Sequence, residues 1–112
     1  MTDELTIQDL FDKLPRAFRP DRAQGVDTTI FFELSGELGG EWLVHIHDQL
    51  CEVRNGRIDA PNLFVRAEAQ DVLDMFYGRL DAVRAYMQGK VQMTGDMSLA
   101  MRLSSLFDVR KA

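Results

Sequence analysis

Two hydrophobic periods divide the chain. Within residues 6–18, Ile7, Leu10, Phe11, Leu14, Ala17 and Phe18 recur at helical spacing. They predict an amphipathic helix with Thr6 as its cap and Asp9 as a capping-box partner. Pro15 falls inside the stripe and predicts a break, a helix followed by one further turn. A polar connector, RPDRAQG, leads on.

From Thr28 the period becomes two. Ile30, Phe32 and Leu34 alternate with Phe31, Glu33 and Ser35. After the glycine-rich turn SGELGGE, Trp42, Val44 and Ile46 alternate with Leu43, His45 and His47. A tight Asp48-Gln49 turn then leads to Cys51 and Val53, opposite Glu52 and Arg54. Asn55-Gly56 signals another turn, but Pro61 delays the next strand, in which Leu63, Val65 and Ala67 oppose Phe64 and Arg66. One face is apolar and the other largely polar, as in an antiparallel sheet covered on one side.

Helical signals return in AQDVLDMFYG and in DAVRAYMQG, the second starting from an Asp81 cap and each ending on a glycine suited to the left-handed C′ position. KVQMT reads as a fifth strand with Val91 and Met93 inward. Gly95 turns the chain and Asp96 caps a last helix. The predicted fold class is α+β: a five-stranded, mostly antiparallel sheet with helices packed on one face. Residues 1–112 are expected to form a single domain.

The last helix carries too much apolar surface. At 100° per residue, Leu99, Leu103, Leu106, Phe107, Ala100, Met97 and Met101 spread over roughly 220°. A helix packed once onto a core needs a stripe of about 100°. The surplus predicts a second apolar neighbour, either a ligand or a partner chain.

Composition narrows the choice. The net charge of −5 and the absence of a basic stripe argue against nucleic acid. One cysteine, Cys51, excludes an internal disulfide and fits a reducing compartment. No run of 18 apolar residues occurs, and the opening MTDELTIQDLFDKLP lacks the pattern of a secretory signal. A cytoplasmic location is the expectation, with at most transient membrane contact, since the polar side of the first helix mixes Asp9 and Asp12 with Lys13 and Arg16.

Polar chemistry is sparse. His45 and His47 share one strand face and could hold a metal, but only two ligands are in evidence and Asp48 is expected on the opposite face. They read as two solvent-side histidines, Cys51 as a buried, inert thiol. No glycine-rich phosphate loop and no nucleophile–base spacing stands out. No catalytic residue, metal or cofactor is expected. The unusual feature is apolar: Met75, Met87, Met93, Met97 and Met101 cluster in the last third beside Phe76, Tyr77, Tyr86 and Phe107. Methionine is unbranched and polarisable, and it can line a volume whose contents vary.

The stretch FYGRLDAVRAYMQGKVQMTGDMSLAMRLSSLF resembles the end of the sterol carrier protein family of lipid-binding domains, in its bacterial single-domain form. The matching positions are Gly78, Leu80 and Asp81; Gly89 and Lys90; and Gly95, Asp96, Met97, Leu99, Ala100, Met101 and Leu103. LSGELGGEW and the strand around CEVRNG are similar to it too. The resemblance implies a hydrophobic tunnel between sheet and helices that binds fatty acid, acyl-CoA or sterol without chemistry. The expected lining is Met75, Phe76, Tyr86, Met87, Met93, Met97, Met101 and Phe107, with Leu99 and Leu103 sealing the last helix to the sheet. The ending VRKA lacks the peroxisomal address of eukaryotic relatives, so their peroxisomal role is not implied. The alternative, from the residues alone, is a protein-interaction or homodimerisation module using the surplus helix face.

Overall fold

In the computed structural model, which describes residues 6–36 and 39–109, the first helix starts where the capping signal places it. Thr6 Oγ1 accepts from the Asp9 backbone N–H at 3.1 Å, and Asp9 Oδ2 accepts from the Thr6 N–H at 2.9 Å. Helix α1 (Ile7–Ala17) then runs unbroken through Pro15, contrary to the expected break. Pro15 removes one hydrogen bond near the C-terminal end, and the buried side chains of Leu14 and Ala17 on either side hold the last turn against the core.

Five strands follow: β1 (Thr28–Ser35), β2 (Gly40–His47), β3 (Leu50–Asn55), β4 (Leu63–Glu68) and β5 (Val91–Gly95). Their spatial order is β3-β2-β1-β4-β5. Three pairings are antiparallel; β1 and β4 are parallel, with Phe32 opposite Val65. The turn expected between β1 and β2 includes residues 37 and 38, which lie outside the described residues, as do those read at the two ends of the chain. Asp48 and Gln49 both take positive φ, 50° and 59°, giving β2–β3 the two-residue turn whose twist matches the strands.

All five strands present apolar side chains on one face, and the helices lie on it. They are α1, α2 (Ala69–Phe76), α3 (Ala82–Met87) and α4 (Met97–Arg102). The opposite face is less polar than expected. Phe31 and Leu43 are buried there, and Phe31 meets Phe64 at 5.5 Å between ring centroids. The connection from β3 to β4 crosses this face: the Arg57 guanidinium lies over Phe31 at 5.7 Å and pairs with Glu41.

The last helix is not one helix. After α4 the chain tightens into a 3-10 turn, Leu103–Leu106, then extends at Phe107 to bridge Phe18. A 3-10 turn stacks residues i and i+3, so Leu103 and Leu106 are both buried. The surplus arc belongs to Met97 and Met101 of α4, which are 36% and 63% exposed, whereas the other five residues, all buried, span only about 120° of the wheel. Gly95 sets the start of this segment: its φ is +116°, and a Cβ there would collide with the Asn62 carbonyl. That carbonyl accepts from the Asp96 N–H at 2.8 Å, and Asp96 Oδ1 in turn caps α4 at the Leu99 N–H.

The tightest helix–sheet contact is aromatic. Phe11 is fully buried, stacks on Trp42 at 4.6 Å with 4° between planes, and meets the edge of Phe32 at 5.2 Å. Phe11→Ala is expected to destabilise the protein by about 3–5 kcal/mol. Chemical denaturation would check this, and a loss below about 1 kcal/mol would show that α1 is not anchored at this stack.

Candidate functional site

A pocket of about 520 Å³ opens between the β1–β4–β5 half of the sheet and α2, α3, α4 and the chain after it. Its floor is sheet: Phe32 from β1, Val65 from β4 and Met93 from β5. These three follow from alternation, since Phe32 pairs with Val65 and Val65 with Met93. Met75 and Phe76 enter from the end of α2, Leu80 and Val83 from the α2–α3 connection and α3, and Ala100, Met101 and Leu103 from α4 and its continuation. Phe107 closes one side, 6.0 Å from Phe76 between ring centroids. It is held there by backbone pairing: the Arg19 N–H donates to the Leu106 carbonyl and the Asp108 N–H to the Ala17 carbonyl, both at 2.8 Å.

Of the eight residues expected to line a cavity, Met75, Phe76, Met93, Met101 and Phe107 border this pocket. Tyr86, Met87 and Met97 do not. Short α3 turns only Ala85 into the core, leaving Tyr86 44% and Met87 79% exposed. Met97, at the first position of α4, is 36% exposed. Met101 is itself 63% exposed and stands at the rim. The leucines divide differently from expectation: both are buried, but Leu103 also borders the pocket.

Three polar residues share the wall with these apolar ones: Arg19, Asp81 and Asp108. Asp81 caps α3 by accepting from the Val83 N–H at 2.9 Å. Arg19 is the sole basic residue bordering the pocket among those described. Sequence reading missed it because it lies in a polar connector between two regular elements.

A second cluster lies on the other sheet face. His45 and His47 stack with centroids 4.3 Å apart, and Glu52, directly across the ladder from His45, reaches both rings. His47 Nε2 is 2.9 Å from Glu52 Oε1 and His45 Nδ1 is 3.8 Å from it. Asp48 is not turned away: its Oδ2 lies 3.3 Å from His47 Nδ1, because the positive-φ turn ends the strand alternation. The hydrogen bond to Glu52, and then that to Asp48, raises the His47 pKa above its ordinary 6.5, and the His47 bond lowers that of Glu52. Cys51 points to the helix side and is partly buried; desolvation first, then the neighbouring Glu52 charge, pushes its thiol up to about 12. It is therefore protonated and a poor nucleophile at neutral pH.

The sequence matches the SCP-2 sterol transfer family over residues 7–108. Hydroxysteroid dehydrogenase-like protein 2 of Homo sapiens is 28% identical over 107 residues, which is 95% of this chain and 26% of the relative. The chain thus spans about a quarter of the length of the curated relatives it matches. Among solved structures, the sec-alkylsulfatase Pisa1 from Pseudomonas sp. superposes with a TM-score of 0.81 at 23% identity, over 93% of this chain and 16% of that one. Palmitated SCP2L2 from Aedes aegypti gives a TM-score of 0.72 at 23% identity, over 90% of this chain and 93% of its own. These structures share the fold.

The histidine cluster gives a test of its own. A raised His47 pKa favours the folded state below pH 6.5 and loses that contribution as pH rises through the folded value. A lowered Glu52 pKa contributes above its ordinary 4.5 and is lost as pH falls through the folded value. The pair therefore contributes between those two limits. In an NMR titration with chelator present, His47 should titrate above 6.5, and Glu52→Gln should bring it down. A wild-type midpoint at or below 6.5 would contradict this geometry.

Proposed function

The chain belongs to the SCP-2 sterol transfer family, and on that premise we propose that it binds and carries one lipid chain in the pocket under α2–α4, with no chemical step of its own. The observation that carries this reading is a pocket of about 520 Å³, within the usual range for small-molecule sites, with predominantly apolar side chains and, beside Asp81 and Asp108, one basic residue on its wall. That arrangement suits a fatty acid, its chain along Val65, Met93 and Phe76 and its carboxylate at Arg19. The palmitated state of the Aedes aegypti relative supports the same ligand class. In this reading the pocket is the mouth of a tunnel, which a lipid extends between sheet and helices as Met75 and Met93 move aside. Residues 1–112 act as one lipid-binding unit.

Exchange with a membrane would take place at the rim. Val83 and Met101 border the pocket and are exposed, and the exposed Tyr86, Met87 and Met97 lie on the same two helices. An apolar rim of this kind suits brief contact with a lipid surface. Among the described residues no helix is long and apolar enough to cross a membrane. The dehydrogenase and sulfatase names belong to chains that this one matches over about a quarter or less of their length, and neither activity is carried over.

Two measurements test the reading. In calorimetry on delipidated protein, palmitate at about 100 times its dissociation constant should stabilise wild type by roughly 2.7 kcal/mol. His45→Ala should gain as much, whereas Ala100→Trp, which fills the pocket, should stay folded and gain nothing. Full protection of a folded Ala100→Trp would place the ligand elsewhere. Arg19→Gln should weaken palmitate binding about 10-fold or more and leave binding of the corresponding fatty alcohol unchanged. Equal weakening of both would remove Arg19 from headgroup recognition.

A further inference from the structure

On the face of the sheet away from the pocket, β2 and β3 bring together groups that no single strand could supply. One ring nitrogen from His45, one from His47 and a carboxylate oxygen of Glu52 all lie within 4.8 Å of one another. Tetrahedral zinc, with ligands at about 2.0–2.2 Å, sets its donors about 3.4 Å apart. The two spacings to Glu52 bracket that value: 2.9 Å from His47 Nε2 to Glu52 Oε1, and 3.8 Å from His45 Nδ1 to the same oxygen. All three side chains reach solvent, so small rotations about their side-chain bonds close the difference.

The surroundings suit a metal ion. Metal-bound histidines commonly donate their second ring N–H to a carboxylate, which fixes the tautomer and raises ligand basicity. Both histidines have a carboxylate near the nitrogen turned from Glu52, within hydrogen-bond distance for His47 and just beyond it for His45. Asp48 Oδ2 is 3.3 Å from His47 Nδ1, and Asp27 Oδ1 is 3.6 Å from His45 Nε2. Two neutral imidazoles and three carboxylates together carry a charge of −3, which favours a dication.

We propose that His45, His47 and Glu52 bind a borderline divalent transition-metal cation, with Asp27 and Asp48 orienting the two imidazoles and solvent completing the coordination. Two nitrogens and one carboxylate oxygen suit zinc, copper or nickel better than calcium or magnesium, which take oxygen ligands. The cation would pin β2 to β3 across the ladder and leave the lipid pocket untouched, since the three ligands project from the other face. A proton bridging His47 and Glu52 is the competing occupant.

Zinc titration of the chelator-stripped full chain by calorimetry decides between them. Wild type should take up one zinc per chain, and His45→Ala/His47→Ala should lose that binding while staying folded and keeping its protection by palmitate. Asp48→Asn should weaken zinc binding about 10–100-fold, as loss of an orienting carboxylate does. Ala100→Trp should bind zinc as wild type does, which separates this site from the lipid pocket. Absence of saturable one-to-one binding to wild type at millimolar zinc, or unchanged affinity in the folded double variant, would overturn the proposal.

Discussion

Phe32 stands at the boundary between a solid core and a pocket, and the helical side of the sheet is organised about it. On one side the edge contact from Phe11, itself stacked on Trp42, closes the interface between α1 and the β1–β2 half. On the other side the aromatic contacts loosen to 6.5 Å from Phe32 to Phe76 and 6.0 Å from Phe76 to Phe107. The helices there are short, of eight, six and six residues. One sheet face thus supports two tasks: an aromatic anchor that holds the fold, and a space that the anchor makes tolerable.

That space is energetically demanding. At about 24 cal/mol per Å³, a sealed and dry void of 520 Å³ would cost about 12 kcal/mol, comparable to the roughly 5–15 kcal/mol of a whole domain. A pocket of this size must therefore be filled or deformable. Its walls suit both conditions, because Met75, Met93 and Met101 can change rotamer where branched side chains would hold the shape. The weak 3-10 geometry of Leu103–Leu106 adds compliance on the same side. In the function proposed, a lipid would be an element of this core that the chain does not itself encode.

Much of this was legible in the sequence because it rests on local signals. Alternation in residues 28–35 and 40–47 placed Ile30, Phe32, Trp42 and Val44 on one face, and Thr6, Asp81 and Asp96 marked helix starts. The parallel pairing of β1 with β4 was not legible, since it depends on a crossover past an entire hairpin. Tyr86 and Met87 were misplaced because α3 has six residues and one buried side chain, too short for periodicity to fix its inward face. The residues after Arg102 were misread because a helical wheel assumes one geometry throughout. Glu52 joined the histidines only across the ladder, five or more positions away in sequence, so a search by spacing had no means to find it.

The central claim is that the methionines fall into two sets, one turned to ligand and one to solvent. Methyl-labelled methionine NMR, with delipidated protein titrated by palmitate, tests it residue by residue. The account predicts that the Met75 and Met93 methyl resonances shift and saturate together while those of Met87 and Met97 stay in place. Shifts confined to Met87 and Met97, or none at saturating palmitate, would contradict it.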